Sequence, residues 1–396
     1  MHSAHRLCTT AFRRASAATI LSHHLRPLNS EDQAKQARSV SKAWKSVIDS
    51  PDFIADYTVH NDDQPQHLLI RYENLYSVET YVSFVDDDSF PQNKYSPTVP
   101  RSVNLLRDSV IIGTSHGLVC LFGCYLNPGH SRKPTAVIWN PSIRKSVAIA
   151  LPNLDMRVAH ALGFGVCPVT SDPKIVKISG MRSRHMKMKG VTCSSRWQVE
   201  VFSLRSGVWR NSYGNLSNNL VNLERPHSQV TIDGSIYWFG VGNTVGSDTE
   251  YCFLISFDLL SEEFGEIHLP NELAFRDKME LHLFNYCDSL AVIRRRILDD
   301  MIQVWRKGSG DSKSFIKLFT IKKPYRYRYM SNLPLGFRMT GELMMRKANN
   351  DEDSETLIDY DLFSHHINDL GIESECSSLL VCSYKESLIL LDQPDI

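Results

Sequence analysis

The sequence predicts a mainly β fold, a β-propeller of about six blades that is preceded by a short α-helical segment. From residue 67 onward, short runs alternate apolar with polar residues and are rich in β-branched and aromatic residues, which is typical of strands. Glycine, asparagine, aspartate, serine and proline separate the runs, as hairpin turns require. The runs also repeat at intervals of about 50 to 60 residues, close to the period of a kelch-type blade.

The repeat is marked by a strand that ends in an aromatic residue followed by a turn-forming residue. These pairs are Trp139-Asn140, Phe202-Ser203, Phe257-Asp258 and Tyr360-Asp361, with Trp305-Arg306 as a weaker member. A hairpin and another apolar strand follow each pair. Because a single four-stranded blade cannot bury both of its faces, successive blades must pack around an axis.

We assign the propeller to residues 67–392, counting the hairpin at residues 67–85 as part of the first blade. The final strand, around Ser387 to Leu391, is expected to close the ring against the first strand. A two-sheet sandwich is the alternative, and it accounts less well for the repeat. Interaction residues are expected on the loops at one end of the ring, where variation costs the core little.

Five tryptophans lie in or beside strands of successive repeats. They are Trp139, Trp197, Trp209, Trp238 and Trp305. Large aromatic side chains bury much apolar area, so we expect them to fill the interfaces between blades. The alternative is that they form a recognition surface.

The N-terminal part of the chain differs in composition from the rest. Residues 1–17 are predicted to be a disordered extension. The first 30 residues contain four arginines and no acidic residue, however, which also resembles a transit peptide. Residues 18–57 are predicted to be a helical segment. Between Ala37 and Ile48 apolar residues recur at three-to-four spacing, and Pro51 limits the helix.

Charge and cysteine usage exclude several functional classes. Lys and Arg together number 44, as do Asp and Glu, so no overall charge directs the chain to nucleic acid or to an anionic membrane. The apolar runs are far shorter than the roughly 18 residues of a membrane span. The nine cysteines are scattered and form no C-x-x-C pair, which predicts reduced, mostly buried thiols and a cytoplasmic or nuclear protein.

One stretch fits the G-x-S-x-G pattern of a hydrolase, with Ser115 as its serine. A nucleophile elbow needs a helix after the serine, but the residues that follow, LVCLFG, have no helical period. A tight turn between two strands explains both glycines, so we predict no catalytic residue, cofactor or metal ion. The acidic runs Asp86-Asp87-Asp88 and Asp351-Glu352-Asp353 lack the pattern of a calcium loop and are expected to be solvated loop tips. The basic run from Arg182 to Gly190 is either a nuclear-import or nucleic-acid patch or an ordinary loop.

Several motifs resemble, in order, those of plant F-box proteins that carry an F-box-associated, kelch-like interaction domain. The stretch SVSKAWKSVIDSPDFIADY is similar to the second half of an F-box, and GTSHGLVCL is similar to the family's first glycine turn. The most specific match is VIWNPSIRKSVAIALP, and the closing repeat resembles IDYDLFSHHINDLGI. The resemblance covers about residues 38 to 391.

The resemblance implies a partial F-box at residues 18–57, since the leading Leu-Pro helix of the motif is missing. The residues that would bind a Skp-type adaptor are Ile20, Leu21, Leu25, Val40, Trp44 and Ile48. The implied function is that of a substrate-recognition subunit of an SCF-type cullin–RING ubiquitin ligase, which performs no chemistry itself. Its implied partners are the adaptor, the cullin scaffold and an unknown target held by the β-domain. The alternative is an interaction scaffold that has lost adaptor binding.

Overall fold

The chain forms a six-bladed β-propeller in the computed structural model, which confirms the predicted fold class. The structure describes residue 50 and residues 65–390, except 75, 77, 127–131, 153–159, 181–196, 213–215, 218, 225–228, 244–248, 276–278, 297–300, 309–314, 323–332, 350–353 and 376–377. The predicted helical segment at residues 18–57 and the extension at residues 1–17 lie outside this part, apart from residue 50. The basic run at 182–190 lies outside it as well.

The first three blades occupy the first half of the ring. Blade 1 contains β1 (His67–Glu73), β2 (Glu79–Val85) and β3 (Lys94–Tyr95). Blade 2 contains β4 (Arg107–Ser115), β5 (Leu118–Leu126), β6 (Arg132–Asn140) and β7 (Lys145–Ala150). Blade 3 contains β8 (His160–Val166), β9 (Pro173–Gly180), β10 (Trp197–Ser203) and β11 (Val208–Ser212).

The remaining blades complete the ring. Blade 4 contains β12 (Asn222–Glu224), β13 (Val230–Ile232), β14 (Ser235–Asn243), β15 (Glu250–Asp258) and β16 (Phe264–His268). Blade 5 contains β17 (Met279–Tyr286), β18 (Ser289–Arg296), β19 (Met301–Lys307) and β20 (Phe315–Lys322). Blade 6 contains β21 (Leu333–Phe337), β22 (Leu343–Ala348), β23 (Ser354–Tyr360) and β24 (Ile367–Glu375). A last strand, β25 (Leu380–Tyr384), belongs to blade 1, and two short helices, α1 (Arg101–Asn104) and α2 (Asn271–Ala274), connect blades.

The ring is closed by β25, which pairs antiparallel with β1 and is the innermost strand of blade 1. The prediction that Ser387 to Leu391 closes the ring was therefore wrong, because the preceding apolar run, Leu380–Tyr384, is the closing strand. The segment from Ser387 to Leu390 packs on blade 2, where the Nδ2 atom of Asn140 donates to the carbonyl oxygens of Ser387 and Ile389, both at 2.8 Å. Both runs are short and apolar, so their pattern alone does not distinguish a paired strand from a docked segment.

The sequence repeat comes from the turn between the third and fourth strands of each blade. The side chains of Asn140, Asp258 and Asp361 each accept hydrogen bonds from backbone N–H groups two and three residues further on. Four positions after the turn-forming residue the backbone has a positive φ, at Arg144, Gly207, Glu262 and His365. A short polar side chain is thus needed at the strand end to bind the turn. The weaker pair, Trp305-Arg306, lies where the strand register shifts.

The five tryptophans lie at interfaces between blades, as predicted. Trp139 in blade 2 is fully buried and meets the ring of Tyr81 in blade 1 edge to face, with 5.3 Å between ring centroids. Trp238 in blade 4 donates from Nε1 to the carbonyl oxygen of Leu162 in blade 3, at 2.9 Å. The described core is therefore a circle of six apolar clusters, each of which joins two neighbouring blades.

The described cysteines are free thiols, and Cys120, Cys124, Cys167 and Cys252 among them are buried, as predicted. Within the described part of the chain, no helix is long and apolar enough to cross a membrane.

Candidate interaction face

One end of the ring, which we call the turn face, carries the turns between the first and second and between the third and fourth strands of the blades. Strands alternate in direction within each blade, so these turns all lie at the same end. In blades 2, 4 and 5 the first turn has two residues with positive φ: His116-Gly117, Asp233-Gly234 and Cys287-Asp288. Two-residue turns of this type match the twist of the flanking strands.

A cavity of about 540 Å³ opens along the axis of the ring. Residues from the innermost strands of all six blades line this axial cavity. Its polar lining includes Gln66, Ser115, Gln229, His282, Asn285 and Lys385. Among the described residues, no group of three or more His, Cys, Asp and Glu side chains is arranged to hold a metal ion.

Ser115 lies at the end of β4, and the turn that follows it leads directly into β5. Its Oγ atom accepts a hydrogen bond from the backbone N–H of Val166 at 3.0 Å and lies 3.0 Å from Nδ1 of His116. That imidazole belongs to the turn itself, and burial lowers its pKa. Because a strand follows the serine where a nucleophile elbow has a helix, the geometry is that of a hairpin.

The two glycines of the G-x-S-x-G pattern are explained by close packing. A Cβ atom at Gly113 would lie 1.8 Å from Nε2 of Gln229. Gly117 has a φ of 78°, and a Cβ atom there would lie 2.4 Å from the carbonyl oxygen of Lys385. The pattern thus marks where β4 and its turn meet blade 4 and the C-terminal segment.

A second cavity of about 540 Å³ lies on the turn face, at the junction of blades 6 and 1. We call it the seam cleft. Its lining consists of Phe90, Pro91, Arg338, Glu342, Asp359, Asp361, Ser364, His366, Asn368, Asp369 and Leu370. Blade 1 contributes its turn between β2 and β3, and blade 6 contributes two turns with the strands beside them. The lining is mainly polar and contains more carboxylates than cations.

Arg338 ties the two blades together at the base of the seam cleft. Its Nε atom donates to Oδ1 of Asp86 at 3.0 Å, and Nη2 donates to the carbonyl oxygen of Asp87 at 2.8 Å. Nη1 reaches Oδ2 of Asp359 at 3.4 Å. The guanidinium also lies over the ring of Phe90, 4.3 Å from its centroid. One buried cation therefore contacts two buried carboxylates from opposite sides of the seam.

The two carboxylates are held in a poorly solvated place. Asp86 is 4% exposed and Asp359 is 3% exposed. Burial raises the pKa of each carboxyl above its ordinary value, and the charge of Arg338 only partly opposes that shift. The prediction that the run Asp86-Asp87-Asp88 is a solvated loop tip was wrong for Asp86, which is buried; Asp87 and Asp88 are exposed. Its partner Arg338 is some 250 positions away, so no local pattern reveals the contact.

The outer part of the seam cleft is acidic and partly apolar. Glu342 lies 3.7 Å from Nη1 of Arg338, and Asp361 and Asp369 stand at the rim. Hydrogen bonds from the side chain and backbone of Ser364 lower the pKa of Asp361, which keeps it ionised at neutral pH. Two large apolar side chains, Met339 and Phe363, are exposed on turns beside it. Sequence reasoning missed this arrangement because blades 6 and 1 meet only when the ring closes.

The adaptor-binding residues predicted from the sequence are Ile20, Leu21, Leu25, Val40, Trp44 and Ile48, and all of them lie outside the described residues. The acidic run Asp351-Glu352-Asp353 also falls outside them. For these positions the sequence expectation stays a prediction.

Comparisons with known proteins agree with the architecture. A family profile described as the F-box associated beta propeller domain matches residues 74–391. F-box protein CPR1 of Arabidopsis thaliana is 24% identical over 387 residues, which covers 90% of this chain and 83% of that protein. F-box protein At4g22390 of Arabidopsis thaliana is 24% identical over 372 residues, covering 86% of this chain and 82% of that protein.

Among solved structures, a protein from Lactobacillus plantarum aligns with 81% of this chain and 100% of that chain, at 11% identity and a TM-score of 0.41. That similarity is too low for a functional comparison. The family match, in contrast, covers most of the propeller from its first hairpin to its last segment. The chain therefore belongs to the F-box associated beta propeller family and resembles plant F-box proteins along most of its length.

Proposed function

We propose that this protein is the substrate-recognition subunit of an SCF-type cullin–RING ubiquitin ligase in the cytoplasm or nucleus. In this proposal residues 18–57 bind a Skp-type adaptor, and the adaptor attaches the protein to the cullin scaffold. The propeller binds a target protein. The observation that carries the proposal is the similarity to proteins named F-box proteins, which extends over most of the chain.

The extent of that similarity supports a role for the N-terminal segment. The alignment with F-box protein CPR1 covers 90% of this chain, whereas residues 50–396 make up less than 90% of it. The alignment therefore reaches into the residues that precede 50, where Val40, Trp44 and Ile48 recur at helical spacing. Apolar side chains at such spacing form one face of a helix, which suits an apolar groove on an adaptor.

The proposed mechanism is positioning rather than chemistry. The ligase transfers ubiquitin from a charged carrier, and the receptor holds the target close to that carrier. Tethering raises the effective concentration of the target lysine, so that its amine more often attacks the thioester carbon that joins ubiquitin to the carrier, which forms an amide bond and releases the carrier's thiol. A rigid ring suits this task because its turns are held by backbone hydrogen bonds and by the polar side chains at strand ends. Residues exposed on those turns can vary without disturbing the core.

The experiment is co-purification of the full chain with a Skp-type adaptor and cullin. Wild-type protein should recover both. Trp44→Ala should weaken adaptor binding about thirtyfold, the effect of an anchor worth about 2 kcal/mol. Combining it with Val40→Ala should weaken binding several-hundred-fold, if the second anchor also contributes about 2 kcal/mol. Lys42→Ala is the matched control, because residue 42 falls on the opposite side of the predicted helix and should bind like wild type. Failure of the folded wild-type chain to bind the adaptor would reject the proposal.

The second candidate is an interaction scaffold that binds a partner through the propeller and has no adaptor. The observation that favours it is the departure from the F-box pattern between residues 18 and 39, where the leading Leu-Pro helix is missing. This candidate predicts a folded propeller that recovers neither adaptor nor cullin. Recovery of both by wild type, with loss in Trp44→Ala, would reject it.

A further inference from the structure

We propose that the seam cleft binds a positively charged side chain, arginine or lysine, presented by the target polypeptide. The inference rests on the proposed function in one respect only, namely that the ligand of the propeller is another protein. The site itself follows from the charges, hydrogen bonds and exposure of residues in blades 6 and 1.

The first argument is the charge of the cleft. Arg338 is the single Lys or Arg among the described lining residues, whereas Glu342, Asp359, Asp361 and Asp369 supply four carboxyl groups. The guanidinium of Arg338 is already engaged by Asp86 behind the cleft at 3.0 Å. It is therefore shared between carboxylates and does not neutralise the site. A cation from outside would supply the missing charge.

The second argument is an acceptor with no donor. Asp359 is 3% exposed, and its Oδ1 atom has no hydrogen-bond partner, while its Oδ2 atom is 3.4 Å from Nη1 of Arg338. Buried polar atoms in folded proteins are nearly always paired, and an unpaired carboxylate oxygen is costly. Asp359 lines the cleft, so an N–H donor that enters from the turn face would satisfy this oxygen.

The third argument concerns the kind of cation. In the described part of the chain, no group of three or more His, Cys, Asp and Glu side chains is arranged to hold a metal ion. The carboxyl groups of the cleft are among the side chains covered by this statement. A side-chain cation needs only hydrogen bonds and charge, and the cleft volume of about 540 Å³ admits one together with its aliphatic stem. Exposed Met339, which follows Arg338 on the turn, offers apolar contact to neighbouring residues of the same segment. Apolar contacts beside a buried charge pair are typical of residues that dominate the affinity of an interface.

The test uses the full chain and a peptide array made of matched pairs. In each pair a central arginine is replaced by citrulline, its neutral isostere, or a central lysine by acetyl-lysine, with randomised apolar neighbours. Wild-type protein should be retained more strongly by the charged member, by about tenfold, the scale of a charge-assisted hydrogen bond. Asp359→Asn and Glu342→Gln should each reduce that preference. Glu263→Gln is the control, because it removes the same charge from an exposed position on the turn face of blade 4.

The outcomes separate cleanly. Preference for the charged members in wild type and in Glu263→Gln, with loss in Glu342→Gln, supports the site even if Asp359→Asn is too unstable to assay. Equal retention of charged and neutral members by wild type overturns it. So does a preference that survives in both cleft variants, since it would arise from general acidity. The peptide assay does not depend on adaptor binding. A negative peptide result therefore leaves the proposed function untouched, and a failure to bind the adaptor leaves the peptide result untouched.

Discussion

The tripeptide Leu-Gly-Phe occurs in the innermost strands of two blades, with different surroundings. In blade 3 it is Leu162-Gly163-Phe164, and a Cβ atom at Gly163 would lie 2.1 Å from Cζ2 of Trp238 in blade 4. In blade 6 it is Leu335-Gly336-Phe337, and no atom lies within 4 Å of a Cβ atom at Gly336. The same local sequence therefore lies in an innermost strand of both blades, but Gly163 pairs with Val176 while Gly336 pairs with Met344 beside a register shift. The surroundings decide how tightly each tripeptide packs.

The seams between blades also differ in their buried charges. Between blades 3 and 4 an apolar cluster contains the buried rings of Trp238 and Phe257, and beside it Lys174 donates to a single carboxylate, Glu262, at 2.8 Å. Between blades 6 and 1 an apolar cluster is also present, and beside it Arg338 contacts two buried carboxylates, Asp86 and Asp359. The closing seam joins parts of the chain far apart in sequence, so the entropy cost of bringing them together falls on its contacts.

The largest expected effect comes from removing the cation of the closing seam. Arg338→Met should lower the free energy of unfolding by about 3–5 kcal/mol, because two buried carboxylates lose their partner. Urea denaturation monitored by tryptophan fluorescence measures it. Arg210→Met is the control: Arg210 is half-exposed, and its partner Glu262 keeps Lys174, so the loss should stay within about 1 kcal/mol. Equal losses in the two variants would contradict a special role for the closing seam.

Part of that cost should depend on pH. A carboxyl whose pKa is raised by folding favours the folded state when protonated, so its contribution is full below the unfolded pKa and is lost as pH rises through the folded pKa. Burial raises the pKa of Asp86 and Asp359, and loss of Arg338 should raise both further. The difference in melting temperature between wild type and Arg338→Met should therefore widen as the pH rises from mildly acidic to neutral. Differential scanning fluorimetry across that range measures it, and a constant difference would show that the carboxylates are not responsible.

A smaller effect is expected at the tight seam. Gly163→Ala places a methyl group against the ring of Trp238 and should cost about 1–3 kcal/mol, the usual penalty for overpacking a core. The backbone at this glycine does not require a positive φ, so the cost is steric. Chemical denaturation measures it, and Gly163→Ala combined with Trp238→Phe should recover part of the loss. A neutral result for the single variant would mean that blades 3 and 4 are not packed as closely as the structure has them.

The smallest effect is expected at the glycine of the same tripeptide in blade 6. Gly336→Ala meets no atom within 4 Å and needs no positive φ, so it should be neutral or stabilise the protein by up to about 1 kcal/mol through the unfolded state. The same denaturation assay compares it directly with Gly163→Ala. A loss as large as that of Gly163→Ala would remove the distinction between the two seams.

Sequence reasoning predicted the parts of this molecule that depend on local pattern. Strand alternation and the aromatic-plus-turn pairs at Trp139-Asn140 and Phe257-Asp258 predicted the blades, because each turn is bound by its own residues. The choice of closing strand failed, because Leu380–Tyr384 and the run at 387–391 have equivalent patterns. What separates them is a contact from Asn140, some 250 positions earlier in the chain. The seam cleft was unpredictable for the same reason: its charges come together only through closure.

Closure of the ring by β25 is the central claim, and a disulfide cross-link tests it most directly. Leu69 and Cys382 are partners in the β1–β25 ladder, and opposed residues of antiparallel strands have Cα atoms about 4.5–5.5 Å apart, a distance that a disulfide spans. Oxidation of Leu69→Cys protein should link that position to Cys382, as read by mass spectrometry of the linked peptides. Ile70→Cys is the control, because neighbouring side chains of a strand point to opposite faces of the sheet. The closed ring predicts the link in the first variant and not in the second. Its absence from both, or a link to Cys382 formed only by the Ile70→Cys variant, would contradict the closed ring described.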